Sequence, residues 1–130
     1  MKIVDVRSAV VVVPLERPVS WATASVSERE YVLVWVVGED GRTGLGYGLG
    51  SRYPGGAHAI HALVQDQLKP AVLGADSWMT EELWERLYRR TLLLGRRGAA
   101  LRAMSALDIA LWDLNARSAG VPLYRLLGGF

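Results

Sequence analysis

The stretch Ala103-Met-Ser-Ala-Leu-Asp108-Ile-Ala-Leu-Trp-Asp113-Leu-Asn-Ala-Arg-Ser-Ala-Gly120-Val-Pro122-Leu-Tyr-Arg-Leu-Leu-Gly128-Gly129 decides the fold. It reads as a helix apolar on more than one face, stopped by Gly120 and Pro122 and followed by a short amphipathic turn. A helix greasy on several faces has to be covered on several sides, so the rest of the chain must supply those covers. The loop Gly95-Arg96-Arg97-Gly98 leads into it and sets its range at about residues 99–119.

Upstream, the first half is strand-like. Residues 3–13 are rich in Val, with Asp5 and Arg7 alternating against Val4 and Val6. Pro14 and Pro18 are expected to end that strand, leaving residues 16–28 as a polar loop around Trp21. Tyr31 to Val37 is a second strand, Gly38-Glu39-Asp40-Gly41 supplies the turn, and Arg42 to Tyr47 returns. So short a turn makes the pair antiparallel. Residues 48–56, with four Gly and Pro54, read as a loop, and a helix is expected from Ala57 to about Lys69, where Pro70 opposes continuation. Asp76 or Ser77 is expected to cap the next helix, with Glu81 and Glu82 in its first turn and Met79, Leu83 and Leu87 on one face. Strands first and helices afterwards predict an α+β fold: a three-stranded antiparallel meander followed by a helical bundle, one domain over residues 1–130.

The 130 residues cannot encode a (β/α)8 barrel, which takes roughly 250. Hydrophobic content of 51% with 22% charge argues against disorder. Without Cys there is no disulfide and no thiolate metal site, which fits a reducing compartment. The charged start, Lys2, Asp5 and Arg7, does not suit a signal peptide, and the apolar run Ala9 to Val13 is too short to span a membrane. A soluble, cytoplasmic protein is expected.

The glycines of Gly44-Leu45-Gly46-Tyr47-Gly48-Leu49-Gly50 have neither dinucleotide-loop nor P-loop spacing, so they are expected where backbones approach closely or a ligand needs room. His58 and His61 share a helical face but lack further ligands, and are expected to be solvated or locally hydrogen-bonded. Asp108 and Asp113 lie roughly 140° apart around a helix and do not converge. Asp113 suits an i,i+4 pair with Arg117, and Asp108, among apolar neighbours, is expected to be a structural hydrogen-bond anchor. No Ser-His-Asp set is assignable. Of the cluster Arg86, Arg89, Arg90, Arg96, Arg97 and Arg102, the Glu82–Arg86 and Glu85–Arg89 spacings account for part; no nucleic-acid motif accompanies the rest, and nucleic acid is not expected as a partner.

The chain resembles, over nearly its whole length, the N-terminal domain of the mandelate racemase/muconate lactonizing enzyme group of the enolase superfamily. The residues that carry the resemblance are Val13-Pro14-Leu15 with Pro18, Val32 to Val36 with Asp40-Gly41, and Gly44-Leu45-Gly46. It continues through Leu68-Lys69-Pro70 with Gly74, Leu83-Trp84 and Arg97-Gly98. Its most specific part is Ala106 to Asp113 with Pro122-Leu123 and Leu126 to Gly129. Where many relatives have Gly-x-Gly-Glu, this chain has Tyr47 after Gly46, which is more similar to the mandelate racemase branch.

That resemblance implies a capping domain for a Mg2+-dependent racemase, acid-sugar dehydratase or cycloisomerase, an isomerase or lyase that abstracts the proton next to a substrate carboxylate. Metal ligands and base would belong to the (β/α)8 barrel, which in that family begins just after this point; none is expected here, so the chain alone is expected to be inactive. The implied partners are a carboxylic-acid substrate, the barrel and further copies in a homo-oligomer. Two loops, about 16–28 and 47–56, would close over the barrel mouth. By position, Val19, Trp21 and Val26 in the first, and Tyr47, Leu49, Arg52 and Tyr53 in the second, are the candidate substrate-facing residues, with Arg17 or Arg52 suited to a second anionic or polyhydroxy group. The alternatives are a stand-alone interaction module, docking through the apolar helix 99–119 and the segment Leu123 to Phe130, or an Arg-rich nucleic-acid binder.

Overall fold

The structure, a computed structural model, describes residues 1–51 and 54–129. Three strands, β1 (Ile3–Trp21), β2 (Ala24–Gly38) and β3 (Thr43–Leu49), form an antiparallel sheet in the order β1-β2-β3. Helices follow: α1 (Gly56–Leu63), a wide π turn (Val64–Leu68), α2 (Lys69–Val72), α3 (Thr80–Thr91), a 3-10 turn (Leu92–Leu94), α4 (Ala99–Ala119) and α5 (Leu123–Leu126). The α+β meander-then-helices architecture and the bounds of the long helix are as the sequence predicts.

Cross-strand register explains how α4 fits. Val32, Val34 and Val36 of β2 are fully buried and stand opposite Gly48, Gly46 and Gly44 of β3. Directly opposed residues share a sheet face, so bulk on β2 faces no side chain on β3, and α4 settles into that space. The opposite face carries Leu45, Tyr47 and Leu49, all exposed. The core is completed by Ile3 and Val6, Ile60, Val64, Leu68 and Val72, Leu83 and Leu87, and Met104, Leu107, Leu111 and Leu114 of α4. Each fully buried Leu of this set contributes roughly 1.5–3 kcal/mol.

Several expectations are corrected. Pro14 and Pro18 do not end the first strand: β1 runs on to Trp21, and residues 16–28 are the paired arms of a hairpin turning at residues 22–23. β1 is an edge strand, where a missing N–H on the open side breaks no ladder bond. The register also slips between Pro14 and Val19, so residues 15–18 bulge. Residues 48 and 49 belong to β3, not to the following loop. The helix from residue 56 does not stop at Lys69: the π turn widens the ladder, and Pro70 falls in the first turn of α2, where its N–H is not needed.

Neither Asp76 nor Ser77 caps α3, which begins at Thr80 without a side-chain cap. Asp76 instead binds the Met1 ammonium and accepts the Trp78 N–H at 3.1 Å, while Lys2 and Asp76 pair as a short antiparallel bridge. Met79 is exposed, unlike Leu83 and Leu87. Nor is α4 a free apolar face. Its large side chains are mostly buried within this chain, between the sheet, α1 and α3. Of the large apolar side chains of α4, Leu101 and Ile109 are exposed; further exposed apolar residues lie off the helix, among them Leu45, Tyr47, Leu49, Leu92 to Leu94, Tyr124 and Leu127, and Phe130 is outside the described residues.

Candidate functional site

Only the inner part of the hairpin pairs with β3, because β3 ends at Leu49 opposite Tyr31. Residues 24–30 of β2 and their β1 partners therefore project past the end of β3 as a two-stranded arm. A pocket of about 190 Å3 lies where the arm overhangs that end, lined by Trp21 and Val26 from the arm, Leu49 to Ser51 from the end of β3, and Arg102 from α4. A second hollow of about 160 Å3 continues from it, between Val26, Glu30, Ser51 and Pro54.

Of the predicted substrate-facing residues, the structure thus brings Trp21, Val26 and Leu49 together. Tyr47 lies next to them along β3, 58% exposed, in a shallow depression with Leu49 and Arg102, its ring edge-on to Tyr31 at 6.3 Å. Val19 pairs with Val26 across the hairpin, is exposed, and lines neither hollow. Arg52 and Tyr53 lie outside the described residues. Arg17 is exposed on the bulged part of β1.

Sequence reasoning missed several lining residues, Glu28, Arg29, Glu30, Ser51 and Arg102 among them. Arg102 donates to the backbone carbonyls of Leu49 and Gly50. Glu30 is buried, and its carboxylate accepts N–H groups of Gly55 and Ala57, which hold it below the usual carboxylate range against the cost of its desolvation. A signal for Glu30 was present: it continues the alternating buried row of Val32, Val34 and Val36, where a carboxylate requires partners. Arg102 carried no such signal, being indistinguishable by type from the five other Arg residues nearby.

Chemically the pocket offers contacts: an indole, aliphatic walls, the Ser51 hydroxyl, the Glu28 carboxylate and the Arg29 and Arg102 guanidiniums line it. Among the described residues no three His, Cys, Asp or Glu side chains converge, so these residues do not fit a divalent cation and no step through a metal follows from them. His61 Nδ1 lies 2.8 Å from Ser8 Oγ, which also accepts from Gln65 Nε2 at 2.7 Å; His58 is exposed.

Asp113, not Asp108, is the hydrogen-bond anchor of α4. Its Oδ2 accepts both the Leu45 N–H and Arg117 Nε at 2.8 Å. Asp108 has no hydrogen-bond partner among the described residues. It sits half-buried in a cleft with Glu81, Trp84 and Trp112, and that burial, together with the Glu81 carboxylate, raises its pKa. The Arg cluster disperses: Arg86 and Arg89 pair with Glu82 and Glu85, and Arg96 and Arg97 are exposed. No helix among the described residues is long and apolar enough to cross a membrane.

The family described as "Mandelate racemase / muconate lactonizing enzyme, N-terminal domain" matches residues 3–128. The chain belongs to this family. Among its relatives, 3,6-anhydro-alpha-L-galactonate cycloisomerase of Streptomyces coelicolor is 37% identical over 96% of this chain and 34% of its own length. D-galactarolactone cycloisomerase of Agrobacterium fabrum is 35% identical over 99% of this chain and 32% of its own. The chain therefore spans about a third of the length of these curated relatives. A crystal structure of a racemase from Streptomyces coelicolor with bound magnesium superposes with a TM-score of 0.92 at 36% identity, covering 98% of this chain and 36% of that one. The L-talarate/galactarate dehydratase liganded with Mg and L-glucarate gives a TM-score of 0.87 at 31% identity, over 98% of this chain and 33% of that one. The mandelate racemase/muconate lactonizing enzyme family thus shares with this chain the meander and the helices packed on it.

Proposed function

We propose that residues 1–130 form one capping domain of a Mg2+-dependent enzyme that abstracts the proton next to the carboxylate of a sugar acid, acting as a racemase, dehydratase or cycloisomerase. The pocket that joins Trp21 and Val26 of the hairpin arm to Leu49 at the end of β3, in a chain of this family, carries the reading. The sugar-acid class is supported by the names of the relatives, which include an arabinonate dehydratase and the galactarolactone cycloisomerase.

In this reading the metal and the base belong to a barrel these residues do not encode, and the 130 residues alone are inactive. Their part is to bind and to exclude water. Trp21, Val26, Leu49 and Tyr47 contact the end of the substrate remote from the reacting carbon, with Val19 at the rim of the arm; by sequence position the proposal extends to Arg52 and Tyr53. Such remote contacts raise specificity by closing the site over the correct substrate. The exposed row Leu45, Tyr47 and Leu49 suits a covering neighbour, either the barrel or another copy in a homo-oligomer.

The test has two arms. The 130 residues, given Mg2+ and a panel of aldonic and aldaric acids, should show no turnover. In a longer polypeptide that carries them ahead of a barrel, Trp21→Ala should change the ratio of kcat/KM between two sugar acids by about tenfold, the size of effect one good contact supplies. Turnover by the short chain, or a ratio held within twofold, refutes the reading.

A further inference from the structure

Glu30 holds two separate points of the chain at once. Its backbone carbonyl accepts the Gly50 N–H at 2.8 Å, just past the end of β3. Its carboxylate accepts the Gly55 N–H through both oxygens, at 3.0 and 2.9 Å, and the Ala57 N–H at 3.2 Å, where α1 begins. One residue of β2 therefore ties together both flanks of the β3–α1 connection. The flanks also touch each other: a Cβ on Gly50 would come within 2.9 Å of Ala57 N and 3.1 Å of Glu30 O, so no larger residue fits there without parting them. From the other side, Arg102 grips the carbonyls of Leu49 and Gly50.

A carboxylate is well suited to this task. It accepts several N–H groups at once, and at the first turn of a helix its charge meets the unsatisfied amides there. The same amides keep it ionised, and His58 adds a smaller effect in the same direction. The consequence falls on the second hollow, where Ser51 and Pro54, next to the tied residues Gly50 and Gly55, stand with Val26, and through Ser51 on the larger pocket that Trp21 lines.

We propose that Glu30 is a positioning residue of these hollows, fixing the separation of Ser51 and Pro54 from the hairpin arm. Its functional meaning rests on the capping reading above; its physical content does not. A residue that only supported the fold would be felt across the whole sheet, whereas a positioning residue acts on that separation and leaves the core alone.

The experiment uses the 130-residue chain and the variant Glu30→Gln, which keeps side-chain length but removes the charge and turns one acceptor into a donor facing N–H groups. Amide exchange read by NMR should accelerate at least tenfold at Gly55 and Ala57 and stay within twofold at Val34 and Val36. In protein labelled with 5-fluorotryptophan, the Trp21 resonance should shift while those of Trp78, Trp84 and Trp112 stay in place. Glu30→Asp, which keeps the charge but withdraws it by one methylene, should give the same pattern and serves if Glu30→Gln does not fold. Unchanged exchange at Gly55 and Ala57, acceleration that spreads to Val34 and Val36, or an unmoved Trp21 resonance each overturns the proposal. Those results leave the Trp21→Ala substrate test untouched, and failure of that test leaves these signals standing.

Discussion

Gly46 lies directly beneath the Ala106 carbonyl: a Cβ at position 46 would fall deep inside van der Waals contact with that oxygen, and 2.7 Å from Ala110 N. Both obstacles are helix backbone, which cannot rotate away as a side chain would. Gly46→Ala should therefore force α4 off the sheet and cost on the order of 3 kcal/mol, the upper part of the overpacking range. Gly48 is the internal control. A Cβ there meets Val32 Cγ1 at 3.3 Å and Ala106 Cβ at 3.5 Å, so Gly48→Ala should stay within about 1 kcal/mol of the parent. Urea denaturation of both variants reads the difference, and equal midpoints would disprove the backbone-contact account.

Much of this was legible in the sequence. Gly120 and Pro122 bounded α4, alternate glycines on β3 announced close approach, and Asp113 and Arg117 paired at the expected i,i+4 spacing. What escaped reading depended on neighbours far along the chain. Pro14 and Pro18 look like stops unless one knows that β1 is an edge strand, and Pro70 looks like one unless the preceding turn widens. The role of Glu30 is invisible until Gly55 and Ala57, more than twenty residues on, are seen to turn their N–H groups toward it.

The two carboxylates of α4 should respond in opposite senses. Asp113→Ala removes the acceptor of the Leu45 N–H and the partner of Arg117, at about 1 kcal/mol. Asp108 has a pKa raised in the folded state, so its charged form opposes folding, and that opposition vanishes below the ordinary carboxylate range. Asp108→Asn should accordingly raise stability at pH 7 and leave it unchanged near pH 3. A loss of stability at pH 7 would show that Asp108 is an anchor after all.

Asp5 carries an acid-sensitive link between β1 and α2. Lys69 Nζ lies 2.7 Å from its Oδ1, and Lys69 with Arg7 lowers its pKa to about 2. A folded pKa below the unfolded one gives stability that is present above the ordinary carboxylate value and lost as pH falls from about 4 toward 2. Both side chains are 29% exposed, so solvent screening limits the effect to on the order of 1 kcal/mol. In Lys69→Met the Asp5 carboxyl should titrate higher, as followed by NMR, and stability should change less between pH 5 and pH 2 than in the parent. An unmoved Asp5 midpoint would remove Lys69 as the cause.

Ser77 and Asn115 form a buried polar contact that is only half satisfied. Asn115 Nδ2 donates to the Ser77 carbonyl at 2.8 Å, while Ser77 Oγ and Asn115 Oδ1 find no partner among the described residues. Both residues are fully buried, so the free hydroxyl bears a desolvation cost without a compensating bond. Ser77→Ala removes that hydroxyl and keeps the carbonyl that Asn115 uses, so it should be neutral or stabilising by up to about 1 kcal/mol. Asn115→Ala removes the bond, orphans the Ser77 carbonyl and opens a cavity beside α4, at a cost of about 2–3 kcal/mol. Thermal denaturation of the two variants reads both signs. A Ser77→Ala protein melting well below the parent would mean that the hydroxyl is bonded, with a buried water as its partner.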